Sequence, residues 1–267
     1  MSATGPGTRS VGLVGYGRVG RDFAARVRAD PGLELDYVLV RSVPDDPDLD
    51  PDVVVTEPAA LADRPVDLCV EAATPEALAD VAPTVLEASD VLVLSGSAFA
   101  TPQWEERLTA AAERTGHDLY VPHAALLGLD GLVDARDELD AVSIEATKAP
   151  GHLDFSYTDA VSPADVDGPT VLYEGPVRGL CRRFPRNFNS HAAVAMASLG
   201  LDATRSRVVA DPEAGSARHV VTATGEGFDL EIVRDSAIEG VTGDYTLVST
   251  WGSVRRVLDL DGGVKFV

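Results

Sequence analysis

The segment V-G-L-V-G-Y-G-R-V-G, ending at Gly20, constrains this chain more than any other. An apolar run feeds the pattern Gly15-x-Gly17-x-x-Gly20, and Arg21 to Ala29 follow with the spacing of an amphipathic helix. Strand, glycine turn and helix in that order are what a bound dinucleotide requires. One glycine makes the tight bend, one lets backbone approach the pyrophosphate, and one allows close helix-strand packing. An ordinary strand-helix turn is the alternative, and the flanking strand and helix favour the dinucleotide. The expected contacts are Gly15, Gly17, Arg18, Val19 and Gly20. The second strand ends in Val40-Arg41-Ser42 and not in an acidic residue, and an arginine there accepts a ribose 2′-phosphate. Use of NADP, beside NAD, is therefore expected, with Asp45 and Asp46 left as alternative partners for a ribose hydroxyl.

The first ~120 residues alternate short apolar runs with helical segments, the pattern of a parallel sheet covered on both faces. Strands are expected at Val11-Gly15, Leu33-Val40, Asp67-Glu71, Val91-Ser95 and Leu119-Val121, with a strand-like Val53-Val54-Val55 after an acidic, proline-rich loop. Thr74-Pro75 and Thr101-Pro102 each put a hydroxyl N-cap before a proline at the first helical position. Near Pro122 the pattern changes. From Asp140 to Lys148, Val142, Ile144 and Ala146 alternate with Ser143, Glu145 and Thr147, as in a half-buried antiparallel strand. Further strands are read at Thr170-Tyr173, Arg207-Ala210, His219-Ala223 and Phe228-Val233, interrupted by one helix from Ser190 to Leu199. The fold class is thus α/β, a Rossmann-type doubly wound parallel sheet at 1–121, with a second, α+β domain at 122–242 for substrate and catalysis. The tail, 243–267, reads as an amphipathic helix that packs back on the first domain.

Acidic residues outnumber basic ones 43 to 22, and the formal charge of -21 argues against nucleic acid or an anionic membrane as partner. Only Lys148 and Lys265 are lysines, so the remaining basic residues are arginine, a balance that reads as adaptation to high salt. Cys69 and Cys181 lack metal-ligand spacing and read as reduced core thiols; no metal site is expected. The amino-terminal residues lack an apolar core of a signal peptide, and no apolar run approaches membrane-spanning length. A soluble, cytoplasmic protein is expected.

The richest polar cluster is Phe184-Pro185-Arg186-Asn187-Phe188-Asn189-Ser190, two asparagines just before an apolar helix, suited to an anion or amide ligand. The structural alternative is that Asn189 is only the helix N-cap. Such a second domain would present a small substrate to a nicotinamide across an interdomain cleft. Oxidising an amine by hydride transfer also requires a group that titrates near neutrality. Five histidines are available. His117 lies at a helix end, His152 in a glycine-bearing loop, and His191 in a first helical turn where a cation is disfavoured. The pattern favours His219, at the mouth of a strand, with His123 as the other candidate; each also fits a hydrogen-bonded structural residue.

Six motifs in order resemble the L-aspartate dehydrogenase family: the glycine turn; Val70-Glu71-Ala72-Ala73; Tyr120-Val121-Pro122 through Gly128-Leu129-Asp130; Thr147-Lys148-x-Pro150; Phe184-Pro185-Arg186-Asn187-x-Asn189; and Asp211-Pro212 through His219. The resemblance implies NAD(P)-dependent oxidation of L-aspartate to iminoaspartate, which hydrolyses to oxaloacetate and ammonia or feeds NAD biosynthesis. It implies His219 as the catalytic residue, Ala73, Ala125 and Asn189 beside the cofactor, and Lys148, Arg186 and Asn187 on the substrate, in a homodimer paired through the second domain's sheet. Two departures bear on the substrate pocket. His123-Ala124 stands where the family has a small pair, so His123 joins the substrate-binding candidates, and Gly240-Val241-Thr242-Gly243-Asp244 replaces the family's motif before the last helix. A related amino-acid dehydrogenase or imine reductase acting on another small acid, and a non-catalytic NAD(P)-binding protein, are the alternative readings.

Overall fold

The computed structural model describes residues 7–157, 162–239 and 242–260. The chain divides into two compact units, one of Met1–Ser95, Glu106–Pro122 and Thr250–Val267, the other of Gly96–Glu105 and His123–Ser249. In the first unit the strands β1 (Arg9–Val14), β2 (Leu33–Leu39), β3 (Val54–Val55), β4 (Leu68–Glu71), β5 (Val91–Val93) and β6 (Leu119–Tyr120) form one sheet in the order β3-β2-β1-β4-β5-β6. Every pairing in it is parallel. This order reverses direction beside β1, which is the dinucleotide-binding topology of a doubly wound sheet.

Helices α1 (Arg18–Ala29), α2 (Pro75–Val85) and α3 (Pro102–Thr115) make the crossovers. The helix after the glycine turn starts at Arg18, earlier than the expected Arg21, because Gly17 itself serves as N-cap. At α2 the predicted cap forms: the Thr74 hydroxyl accepts the Ala77 N–H at 3.2 Å, with Pro75 behind it. Val11, Leu13, Val38, Leu68, Val70 and Leu92 build the core on the sheet.

The last helix, α8 (Asp244–Val257), contributes Val254 to that core, Leu258 just past its end joins it, and Trp251 lies edge-on to Phe23 at 6.2 Å between ring centroids. Arg255 reaches Asp30 at 3.3 Å. The part of the predicted tail beyond Leu260 lies outside the described residues.

The second unit holds α4 (Leu129–Asp134), β7 (Leu139–Lys148), β8 (Thr170–Pro176), α5 (Val177–Arg183), α6 (Asn189–Ala197), α7 (Gly200–Ala203), β9 (Arg205–Ala210), β10 (Ala217–Gly225), β11 (Phe228–Ser236), and a small ribbon of β12 (Ile238–Glu239) with β13 (Thr242–Gly243). Its sheet runs β11-β10-β7-β9-β8. β7 was expected in antiparallel pairing; it is antiparallel to β10 but parallel to β9, because β8, running antiparallel to β9, returns the chain to the end of the sheet where β7 began.

Three helices, not one, stand between β8 and β9. Val177, Leu180, Cys181 and Phe184 are buried at helical spacing, a short amphipathic pattern that defines α5. Leu180 and Phe184, with Phe188, Leu172 and Val208, belong to this unit's core cluster.

Gly96–Glu105 belongs to the second unit, although the sequence reading placed it within the first. Arg178 of α5 explains this. Its guanidinium donates to the Phe99 carbonyl at 2.8 Å and to Glu105 at 2.9 Å while also gripping Asp202. Among the described residues no helix is long and apolar enough to cross a membrane.

Val254 is fully buried whereas Val248, one and a half turns earlier, is 57% exposed. Truncating Val254 to Ala should cost about 2 kcal/mol by removing core contacts, and Val248→Ala should stay within about 0.5 kcal/mol of the parent. Urea midpoints at constant slope measure both.

Candidate active site

In the first unit the glycine turn leaves one side bare. Gly15 has φ +92, and a Cβ there would meet the Ala72 carbonyl at 2.8 Å; a Cβ on Gly20 would collide with the Gly15 carbonyl. A Cβ on Gly17 would meet nothing within 4 Å. Gly17 caps α1 without a side-chain bond, and no acidic residue sits in the helix's first turn. Steric necessity thus accounts for Gly15 and Gly20, while open space beside Gly17 and an uncapped helix N-terminus, with Arg18 and Val19 in its first turn, fit a phosphate group.

Behind this turn lies a residue that the sequence reading quoted only as part of a motif. The Glu71 carboxylate, 2% exposed at the end of β4, accepts the Ala73 N–H at 2.7 Å, the Ser95 N–H at 2.9 Å and the Ser95 hydroxyl at 2.8 Å. Burial pushes its pKa up against those donors. It fastens the loops that leave β4 and β5, and so fixes Ala73.

Arg41 stands exposed just past β2. Asp46 is already engaged, accepting the Tyr16 hydroxyl at 3.1 Å and the Asp48 N–H at 3.0 Å, so its carboxylate is committed within the protein; Asp45 is exposed.

In the second unit, three neighbouring strands carry a polar residue at the buried phase of their alternation. On β7 the inward series Val142, Ile144, Ala146 ends in Lys148, which is 3% exposed. On β10, Ala217, Val221 and Ala223 flank His219, 2% exposed. On β11, Arg234 takes the inward position at 6%, with Val233 and Asp235 exposed. His219 lies opposite Ala146 on one side and opposite Arg234 on the other.

Helix α6 adds His191, fully buried, whose ring lies 6.1 Å from that of His219. Asn187, just ahead of that helix, is 6% exposed, and its carbonyl receives the Lys148 ammonium at 3.5 Å. The ammonium also lies 5.2 Å from the centre of the Phe188 ring.

These polar groups are poorly satisfied by the protein. Both ring nitrogens of His219, Nε2 of His191, both amide atoms of Asn187, and Nε and Nη2 of Arg234 are buried without a hydrogen-bond partner. Buried polar atoms normally find partners, so such a concentration marks a place built for a ligand.

Burial, then the charges of Lys148 and Arg234 and the neighbouring His191, hold the His219 imidazole well below its usual range, and it is neutral at neutral pH. Burial, then Arg234, brings Lys148 down to about 8. His191 is likewise held neutral, by burial and by Lys148, with Nδ1 sharing a hydrogen bond of 2.7 Å with Ser206.

The remaining expected residues fall elsewhere. Asn189 is the first residue of α6, not its cap, which is Phe188; its Oδ1 accepts the Ser97 N–H at 3.1 Å. His123 and Ala125 are half-buried in the turn after β6, where Ala124 adopts φ +51 and its carbonyl accepts the Ser249 hydroxyl. Arg186 is exposed and faces Asp154 at 4.0 Å, apart from the buried cluster. Gly240 and Val241 of the altered motif lie outside the described residues.

Arg234 is absent from the expected site, although a signal existed in the run Phe228-x-Leu230-x-Ile232-x-Arg234, in which a cation occupies the apolar phase of a strand. His191 was set aside because a cation is disfavoured in a first helical turn; the structure holds its imidazole neutral and buries it beside His219.

Residues 130–257 match the family described as aspartate dehydrogenase, C-terminal, and residues 15–122 match the homoserine dehydrogenase NAD-binding domain. The chain is 34% identical to the L-aspartate dehydrogenase of Ralstonia pickettii, over 82% of this chain and 86% of that one. It is 31% identical to the aspartate dehydrogenase domain-containing protein of Danio rerio, over 91% and 93% respectively. It shares the fold of the aspartate dehydrogenase from Thermotoga maritima, with a TM-score of 0.75 at 24% identity, covering 97% of this chain and 99% of that structure. With a Rossmann unit followed by the matching carboxy-terminal unit, the chain belongs to the L-aspartate dehydrogenase family.

Proposed function

We propose that the protein is an NAD(P)-dependent L-aspartate dehydrogenase that removes hydride from Cα of L-aspartate to give iminoaspartate, which water converts to oxaloacetate and ammonia. The observation that carries this reading is the buried, unpartnered imidazole of His219 in the company of two buried cations, Lys148 and Arg234. In a chain of net charge -21, cations buried without a carboxylate partner are suited to an anionic ligand.

The glycine turn, with Arg18, Val19 and Ala73, would hold the dinucleotide, and the resemblance adds Ala125 and Asn189 to its contacts. When bound, the nicotinamide supplies an acceptor for the hydride. The chain's own part is acid-base and positioning work. Aspartate arrives with its nitrogen protonated, and the neutral His219 takes a proton from it, so that the nitrogen lone pair forms the C=N bond as the Cα–H bond breaks. In hydrolysis the same imidazole, having released that proton to solvent, relieves the attacking water of a proton. The Lys148 ammonium pairs with a substrate carboxylate, the Asn187 amide offers it a donor, and His123 borders the same pocket. Assembly as a homodimer through the second unit's sheet, in the cytoplasm, completes the reading; light scattering of the purified protein tests the dimer.

Replacing His219 by Ala should lower kcat for aspartate by about 100-fold or more, with dinucleotide affinity by calorimetry unchanged. Retained turnover would exclude His219 as the acid-base group.

The Lys148 cation is present below pH 8 and lost above it, so affinity for succinate, which has no amine of its own to titrate, should fall as pH rises through about 8. In Lys148→Arg that decline should move to higher pH, since guanidinium keeps its proton. Inhibition constants measured across the range report it.

Arg41 underlies the proposed use of NADP. Arg41→Ala should weaken NADP about 10-fold through the lost charge-assisted contact, leaving NAD nearly unaffected. Calorimetry with both dinucleotides decides the point, and a parent enzyme that binds NAD much more tightly than NADP would refute it.

A further inference from the structure

We infer that Arg234 is a carboxylate receptor of the substrate site, and that together with Lys148 it makes the site select molecules with two carboxylates. This rests on the dehydrogenase reading above but goes beyond it, since neither the motifs nor the resemblance assign Arg234 a role.

The argument begins with strand phase. Alternation on β11 turns Phe228, Leu230, Ile232 and Arg234 to one side, and Arg234 is the buried end of that row. Direct antiparallel pairing sets it opposite His219 on β10, and opposed residues on one face have Cβ atoms roughly 5 Å apart. Arg234 is therefore the immediate lateral neighbour of the acid-base group.

The state of the guanidinium is more telling. Nη1 reaches only the Ala217 carbonyl, at 3.4 Å, while Nε and Nη2 are buried with no partner. Those two nitrogens form one edge of the guanidinium, the parallel pair of N–H groups that a carboxylate meets with both oxygens. The Tyr245 ring, 6.0 Å from the guanidinium carbon, lies beside it and leaves that edge without a hydrogen bond. Among the described residues no carboxylate pairs with it. Asp235, the adjacent acid, is exposed on the opposite phase of the strand and pairs with Arg218 at 2.5 Å. A buried guanidinium edge without a counter-ion is costly unless a ligand supplies one.

Lys148 presents the same deficit from β7, its ammonium meeting a backbone carbonyl and an aromatic face but no carboxylate. Two buried cations on strands either side of β10 thus ask for two negative charges. A dicarboxylate meets both, while a monocarboxylate leaves one cation bare, the situation in which a site rejects an analogue most strongly.

The test compares succinate with butyrate, which lacks one carboxylate, as ligands of the parent, Arg234→Lys and Arg234→Met by calorimetry, together with KM and kcat for aspartate. The parent should bind succinate far more tightly than butyrate. Arg234→Met should lose about 100-fold in succinate affinity while butyrate, still served by Lys148, changes much less. Arg234→Lys, which keeps the charge but not the fork, should recover only part of the loss. KM for aspartate should rise more than kcat falls. Unchanged dinucleotide affinity reports that each variant is folded, and Arg234→Lys alone suffices if the Met variant does not fold. Undiminished succinate affinity in a folded variant, or equal losses for succinate and butyrate, would overturn the proposal. If the parent bound succinate through Arg234 yet turned over no aspartate with either dinucleotide, the receptor would stand and the dehydrogenase reading would fall.

Discussion

Two cations, an amide and two imidazoles, buried together with many of their polar atoms unpaired among the described residues, are the constraint around which the second unit is organised. Such burial is tolerable only where the surrounding fold is firm, because desolvated polar groups lose several kcal/mol each when unpaired. The firmness comes from the strands themselves. Lys148, His219 and Arg234 sit at the ends of inward rows of small and branched apolar residues, and the ladder that pairs β7, β10 and β11 holds all three on one face. Helix α6 supplies His191, which Ser206 orients from β9, and the Phe184-Phe188 pair, 5.8 Å between centroids, packs beneath the loop that presents Asn187. A pocket of this kind owes its chemistry to mutual perturbation: Lys148 helps keep both imidazoles neutral, Arg234 adds to this at His219, and burial keeps the lysine close to losing its proton.

The first unit solves a different problem, that of approaching a large anion with backbone alone. Glycines are needed at Gly15 and Gly20 because neighbouring backbone lies too close for a Cβ, while Gly17 leaves open space beside the helix N-terminus. Glu71 holds this arrangement from within. A buried carboxylate bonded to two loops that leave adjacent strands sets the rim of the site without exposing charge to it. The engagement of Asp46 by Tyr16 and Asp48 also bears on the cofactor, since one of the two acids that were alternative partners for a ribose hydroxyl already has protein donors, while Asp45 and Arg41 stand exposed.

Much of this was legible in the chain. The glycine turn, the threonine-proline helix starts and the period-two alternation of Asp140 to Lys148 depend on neighbours a few residues apart, and local sterics and solvation decide them. His219, Lys148 and Asn187 were singled out by motif and meet in one cluster. Arg186 shares the motif but not the pocket, because the turn that buries Asn187 points its neighbour outward to Asp154. Arg234 stands outside the family motifs and shows itself only as a cation in the apolar phase of a strand, and His191, set aside as a disfavoured cation in a first helical turn, joins the cluster as a neutral imidazole.

What the sequence determined by itself is the fold class, the dinucleotide turn and the family, all of which rest on short-range pattern. Tertiary structure alone decided which polar residues share one buried space, since β7, β10 and β11 come together from positions tens of residues apart and only their register puts Arg234 opposite His219. It also decided that several of their polar atoms lack partners among the described residues, for burial is a property of everything packed around a side chain and no local pattern records it.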